Sequence, residues 1–243
     1  MTPSQPQVLL AIPGYRMQFC AAAGAADRVI AEAIQAQVLA EVTRPIGMNI
    51  HQARNAVFHD ASKSQGITHV FFLDDDVVPP PGVISTLLAA HVGVIGGCYP
   101  LRIDGQKKCA AWDWGSHGAA ELFSWRYEQH DDEDGLHPEL VYPRVEPYNG
   151  HTYGQDLQVV GGVGTGCMLI QIGVVRHMLK IYKTPFQSPD EADDAGNITN
   201  VSDDVYFANR LREQGIPVLL NKTVICKHYG IVEFSEMVEG DDQ

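Results

Sequence analysis

Three short apolar runs limit most strongly what this chain can become. Residues 8–12 (VLLAI), 69–73 (HVFFL) and 92–99 (VGVIGGCY) are hydrophobic almost without alternation, the pattern of strands covered on both faces. Between the first two, residues 27–42 set Ile30, Ile34 and Val38 four apart, which predicts an amphipathic helix. After the break at Pro45–Gly47, Ala53, Val57 and Ala61 share one face of a second helix. Strand, helix, helix, strand calls for a parallel crossover, so the first half reads as α/β.

The rest of the chain changes character and then returns. Residues 83–90 predict a helix before the third strand. Residues 104–154 scatter Trp112, Trp114 and Trp125 among Gly, Pro, His and an acidic run at 131–134, predicting an irregular excursion with some antiparallel strand. Residues 157–160 lead into a glycine-rich segment, 161–166, followed by the apolar 167–170 and a short helix to Lys180. An acidic stretch at 188–202 reads as mobile. A helix over 203–214 stops at Gly215, as a terminal glycine stops one. Two short strands are expected near 218–220 and 224–227.

Composition narrows the function. With 17 Lys and Arg against 30 Asp and Glu, the formal charge is −13, which disfavours a broad nucleic-acid or anionic-membrane surface. Five cysteines without a C-x-x-C pair fit neither a disulfide framework nor a structural zinc site, so reduced, buried thiols are expected. No apolar run reaches the roughly 20 residues of a membrane helix, and the N-terminal residues lack signal-peptide character, making the cytoplasm the expected compartment.

The sharpest chemical feature is Asp74-Asp75-Asp76 at the exit of a buried strand, where open α/β sheets place their ligands. Alternate residues on extended backbone point the same way, so Asp74 and Asp76 act together while Asp75 turns elsewhere. A solvated acidic turn is the bland alternative. Three adjacent like charges there repel unless a cation offsets them, and oxygen ligands suit Mg²⁺ or Mn²⁺ bridging a diphosphate. Ser202-Asp203-Asp204 opens a helix, where a cap and dipole role alone would explain it. Arg54 interrupts a helix that carries few charges, and Lys227-His228-Tyr229 ends a late strand. The run 161–166 offers a cradle for phosphate or sugar but matches neither common nucleotide-loop pattern.

Taken in order, these pieces resemble a GT-A glycosyltransferase of the compact kind related to the large inverting family of nucleotide-sugar transferases. The likeness runs from Val8 to Gly230 through Ile12-Pro13-Gly14-Tyr15-Arg16, Ala53-Arg54-Asn55, Phe72-Leu73-Asp74-Asp75-Asp76, the segment 164–170, Ser202-Asp203-Asp204 and His228-Tyr229-Gly230. It implies a single Rossmann-like domain over 1–243, with a mostly parallel central sheet flanked by helices and a smaller antiparallel portion. Residues 7–103 would form the nucleotide-binding half and 104–235 the acceptor side. The resemblance implies a DxD pair and metal ligands at Asp74, Asp76 and His228 for Mn²⁺ or Mg²⁺, with Asp76 foremost as the direct ligand and Asp74 or Asp75 nearer the ribose or a metal-bound water. Pro13, Tyr15, Arg16, Arg54, Asp74, Asp75, Gly164, Thr165 and Gly166 would contact the nucleoside-diphosphate sugar. Asp204 would be the general base and Asp203 its rival, since the family's usual Glu-Asp is Asp-Asp here. A base at that position implies inversion, although retaining enzymes carry the same metal site.

The acceptor stays open among glycan, protein, small molecule and modified nucleic acid. The three tryptophans would line its side by stacking on sugar rings, or else form a small satellite core. Two other classes compete. A haloacid-dehalogenase-type phosphatase would use Asp74 as nucleophile and be trapped as a phosphoenzyme. A non-catalytic sugar- or metal-binding module would bind its ligand without turnover.

Overall fold

The computed structural model describes residues 5–14, 20–103, 106–114, 120–128, 137–140, 156–192 and 198–229. Along the chain it forms β1 (Val8–Ala11), α1 (Cys20–Gln35), β2 (Leu39–Thr43), α2 (Ile50–Lys63), β3 (His69–Leu73), β4 (Val77–Val78), α3 (Val83–Leu88) and β5 (Val94–Cys98). An antiparallel portion follows: β6 (Pro100–Ile103), β7 (Gln106–Trp114), β8 (Ala120–Glu128) and β9 (His137–Leu140). Next come β10 (Leu157–Val160), β11 (Gly162–Val163), β12 (Cys167–Gln171) and α4 (Ile172–Tyr182). The hairpin β13 (Asp190–Ala192) and β14 (Ile198–Asn200), then α5 (Asp203–Glu213), β15 (Val218–Ile225) and β16 (Lys227–His228), complete the order.

The main sheet has seven strands in the order β10-β15-β5-β12-β3-β1-β2. β1, β2, β3, β5 and β15 share one direction, while β12 and β10 oppose it. The expected mostly parallel α/β sheet is therefore present. Because those five strands agree in direction, the chain leaves β1, β3, β5 and β15 at one common edge. β1 and β5 are buried at every position, as their unbroken apolar runs required.

Three local expectations are corrected. The helix read over 27–42 ends at Gln35, and Leu39–Thr43 instead pairs in parallel with β1. Gln37 adopts φ 57°, turning the chain out of the helix. The buried stripe is Ala22, Ala26, Val29 and Ala33, whereas Ile34 is 60% exposed, so small residues let α1 lie close to the sheet. The two strands expected near 218–220 and 224–227 are largely one, β15, with an irregular register between Leu220 and Ile225. There Asn221 Oδ1 accepts from the amide and hydroxyl of Thr223, and this polar turn broke the apolar pattern. The 188–202 stretch contains a hairpin closed by pairing of Asp190 with Asn200.

The cysteine reading is also corrected. Cys98 and Cys109 form a disulfide, while Cys167 and Cys226 are free and buried. The β6–β7 pairing sets Pro100 opposite Cys109, which brings Cys109 beside the end of β5. That proximity arises from strand register and leaves no trace in sequence spacing. Among the described residues, no helix is long and apolar enough to cross a membrane.

Aromatic packing fixes the elements that later carry the chemistry. Phe58 of α2 lies 5.8 Å from Phe72 of β3 and 5.7 Å from Phe207 of α5, centre to centre. Phe186 fills the space between them, at 5.0 Å from Phe58 and 4.2 Å from Phe207. All four rings are fully buried, each contributing about 1.5–3 kcal/mol through its apolar area. Asn55 exchanges two hydrogen bonds with the backbone of Phe186, at 2.7 and 3.1 Å, satisfying a buried amide beside Arg54.

Candidate active site

The carboxylates leave β3 at the shared strand edge. The Asp74 amide donates to Gly166 O at 3.1 Å, and Val77 N–H closes back onto Asp74 O at 3.1 Å. The chain turns tightly and enters β4, which pairs with β16 so that Val77 faces His228. Tyr229 N–H also donates to Asp76 O, at 2.9 Å. Two segments about 150 positions apart are thus registered by main-chain bonds, and His228 Nε2 stands 3.3 Å from Asp76 Oδ2.

The histidine is oriented from behind. Its Nδ1 lies 2.9 Å from the Pro100 carbonyl, which can only accept, so we assign the Nδ1 proton to that bond and leave Nε2 facing Asp76. The contact with Asp76 raises the His228 pKa against the opposing effect of burial. Protonated, Nε2 donates to Asp76 as an ion pair; deprotonated, its lone pair and the carboxylate converge on one point, where a divalent cation could sit. Among the described residues no group of three metal-donor side chains occurs. Asp76 and His228 are two converging donors that could hold a divalent ion, whose remaining ligands would then be supplied by phosphate oxygens or water.

Arg54 connects the second half of the site. It is 3% exposed, and its Nη2 donates to both oxygens of Asp74 at 2.9 Å while Nη1 donates to Asp203 Oδ2 at 2.6 Å. Burial opposes its charge, but Asp74, Asp203 and then Asp204 outweigh that and raise its pKa. Burial also raises the pKa of Asp74, with Arg54 pulling the other way. Asp75 is pushed up to about 6, first by burial and then by Asp76 and Asp74. Its carboxylate lies over Gly14, where a Cβ would come within 2.7 Å of Oδ2. Pro13 is buried just before that glycine, and Tyr15 and Arg16 lie outside the described residues.

The two acids of α5 are not equivalent. Asp203 is 6% exposed and held by Arg54. Asp204 is less buried and takes the Ser202 hydroxyl and the Val205 amide, both on Oδ1. Burial raises the Asp204 pKa above the usual carboxylate value. Ser202 thus flanks the helix as expected, but its hydroxyl serves the Asp204 carboxylate and no side-chain cap bond forms.

The glycine run behaves differently from the phosphate or sugar cradle expected of it. Residues 161–166 are all buried. A Cβ at Gly162 would meet Trp112 at 2.3 Å, and one at Gly164 would meet the Tyr99 hydroxyl at 2.2 Å. Gly164 N–H donates to Ala110 O and Gly166 N–H to the Tyr99 hydroxyl, at 2.7 and 3.3 Å. Thr165 is fully buried, with its hydroxyl unpartnered among the described residues. These glycines are present because aromatic side chains pack onto bare backbone, and the run forms the wall behind Asp74. Trp112 is buried in that wall, Trp114 is partly exposed, and the Trp125 side chain lies outside the described residues.

Tyr99 was not anticipated from the sequence. It leaves β5 at the same edge, is 6% exposed, and sets its ring 5.2 Å from that of His228. Its phenol pKa is raised well above normal, first by burial and then by Asp74 and Asp204. Its position at a strand end was the available signal.

No family model and no curated protein sequence matches the chain. Solved structures do. The crystal structure of A197 from STIV is similar with a TM-score of 0.51 at 14% identity, over 93% of this chain and 86% of that one. The crystal structure of GalNAc-T7 with UDP, GalNAc and Mn²⁺ is similar with a TM-score of 0.52 at 10% identity, over 95% of this chain. The match spans 45% of the GalNAc-T7 chain, a little under half its length. Likeness at these identities establishes the fold: a GT-A-like α/β architecture with a large, mostly parallel sheet and a small antiparallel one.

Proposed function

We propose that the protein is a metal-dependent glycosyltransferase that moves a sugar from a nucleoside-diphosphate sugar to an acceptor hydroxyl with inversion. The observation that carries this reading is the meeting, at one sheet edge, of the Asp76–His228 pair and the acidic start of α5, tied together through Arg54. Residues 7–103 bind the nucleotide in this scheme and 104–235 serve the acceptor. Asp76 and His228 would hold Mn²⁺ or Mg²⁺, which supplies charge neutralisation for the departing diphosphate. Asp75, above Gly14, suits the ribose hydroxyls. Pro13, Tyr15 and Arg16 would contact the nucleoside in this scheme.

Asp204 accepts the acceptor's proton. Its Oδ1 is fixed by Ser202 and Val205, which leaves Oδ2 to approach the incoming hydroxyl. The acceptor oxygen forms a bond to the anomeric carbon, the bond to the phosphate oxygen breaks, and its electron pair leaves with the diphosphate. Its raised pKa makes Asp204 a stronger base than an exposed aspartate. Asp203 is the weaker candidate because Arg54 already holds it, and Arg54 is better read as positioning Asp74 and α5 than as touching the donor. Gly164, Thr165 and Gly166 act from behind by shaping the Asp74 wall.

The test is calorimetric titration of UDP and other nucleoside diphosphates in Mn²⁺ and in chelator, together with turnover of a nucleotide-sugar panel. Binding is expected only with metal, and Asp76→Ala is expected to remove that dependence. Equal affinity in chelator and Mn²⁺ would overturn the metal bridge, and no turnover of any sugar with any acceptor class would overturn the reaction.

A further inference from the structure

We propose that a separate pocket, between the C-terminal half of α5 and the end of β7, is a subsite for an acidic pyranose ring. The cavity measures about 150 Å³, a size that a six-membered ring fills. Val160, Ile216 and Val218 give it apolar walls, and Trp114, Arg212 and Asp113 bring the specific chemistry.

Those three side chains divide the recognition. The Trp114 indole is partly exposed, with the Arg212 guanidinium over its ring, and its exposed part can meet the C–H face of a sugar. Arg212 is exposed, with its guanidinium 5.2 Å from the centre of that ring, and it makes no ion pair among the described residues. It is free to meet an anionic substituent. Asp113 uses Oδ1 on the Trp114 amide, at 2.8 Å, which leaves Oδ2 as an acceptor that a ring hydroxyl in the pocket could use. A neutral apolar guest would leave both charges unused, and a bare aromatic acid would leave Asp113 unused. An acidic sugar engages all three.

The pocket is set apart from the carboxylate centre. Asp204 and Arg212 are eight residues apart on α5, about 12 Å along a helix axis. Ala110, whose carbonyl takes the Gly164 amide, and Trp114 are four residues apart on β7, about 13 Å along a strand. A ring held here is not the ring that reacts. If the proposed transfer reaction holds, on which this assignment to the acceptor rests, the acceptor is an acidic oligosaccharide gripped at a residue beyond the reacting one.

The probes are methyl β-D-glucuronide, methyl β-D-glucoside and benzoate, titrated calorimetrically into the full chain without metal or nucleotide. The glucuronide is expected to bind about tenfold more tightly than the glucoside, and more tightly than benzoate. Arg212→Gln, a change at an exposed position, is expected to erase the preference between the two sugars. Trp114→Leu, checked by circular dichroism for retained fold, is expected to weaken both sugars by about tenfold. Asp76→Asn is expected to leave all three unchanged. Equal affinity for the two sugars in the wild type, tighter binding of benzoate, or loss of glucuronide binding in Asp76→Asn would each overturn the assignment. The readout needs no transfer. Glucuronide binding without turnover of any nucleotide sugar would refute the transferase reading and leave the subsite intact.

Discussion

Replacing Arg54 by Met tests whether one buried guanidinium holds the two halves of the site together. The substitution keeps an unbranched side chain in α2 but removes three charge-assisted hydrogen bonds, two to Asp74 and one to Asp203. Asp203 is 6% exposed, so water cannot readily replace its lost partner. The Asp74 side chain is 22% exposed and recovers some hydration. Breaking a buried pair by removing one member costs about 3–5 kcal/mol, and partial hydration of Asp74 places this case toward the lower end. At about 2–4 °C per kcal/mol for a chain of 150–250 residues, melting should fall by roughly 6–16 °C. Urea denaturation followed by circular dichroism and tryptophan fluorescence gives the free energy. The double variant Arg54→Met/Asp203→Leu removes both ends of the inner pair and should recover at least half of the loss, because apolar replacements of buried pairs are often neutral. Arg54→Lys keeps the charge but not the fork and should fall between wild type and Met. A loss under about 1 kcal/mol in Arg54→Met, or a double variant no better than the sum of the singles, would refute the argument.

Other expectations follow from the same geometry. Gly164→Ala drives a methyl group to 2.2 Å from the Tyr99 hydroxyl and should cost about 1–3 kcal/mol in chemical denaturation, with nothing lost if the run is an open loop. His228→Ala should weaken metal and nucleoside-diphosphate binding together, with a smaller preference for Mn²⁺ over Mg²⁺, measured by calorimetry with each ion. Asp204→Asn should keep donor binding and cut transfer by roughly 10²–10⁴-fold. Because burial raises the Asp204 pKa and a base works only when deprotonated, the acid limb of kcat/KM should lie above the ordinary aspartate value of about 3.9. An acid limb below that value would point to another base.

Legibility in the sequence followed the range of each interaction. β1, β3 and β5 announced themselves because a strand buried on both faces must be apolar throughout, and that is a local property. β2 did not, since Leu39–Thr43 lies near the sheet edge with a mixed burial pattern and was absorbed into the helical period before it. The Cys98–Cys109 bond and the Asp76–His228 contact depend on strand register, to which residue spacing is blind. Asp74, Asp75 and Asp76 were visible as an anomaly of charge at a strand end. Tyr99 was not, because a tyrosine after an apolar run is ordinary until the glycines facing it are known. The glycine run is ambiguous for the same reason: its sequence is identical whether the bare backbone meets a phosphate or, as here, the rings of Trp112 and Tyr99.

The division of labour within Asp74-Asp75-Asp76 is therefore set by residues distant in sequence. Three carboxylates leave the same strand, yet each meets a different surrounding. Asp74 has both oxygens held by Arg54, and a carboxylate so engaged is a poor ligand for a further cation. Asp75 turns toward Gly14, at the exit of the neighbouring strand. Asp76 alone faces an imidazole nitrogen aligned by a main-chain carbonyl. The repulsion among the three is relieved internally by the arginine at the first position and, in the proposed scheme, would be relieved by a cation at the third. The arginine's other hand reaches Asp203, so the side chain that engages both oxygens of Asp74 also fixes where α5 begins, and with it where Asp204 stands. A change at Arg54 is therefore expected to disturb the proposed base Asp204 and the proposed metal ligands together, even though the residue contacts neither Asp76 nor His228.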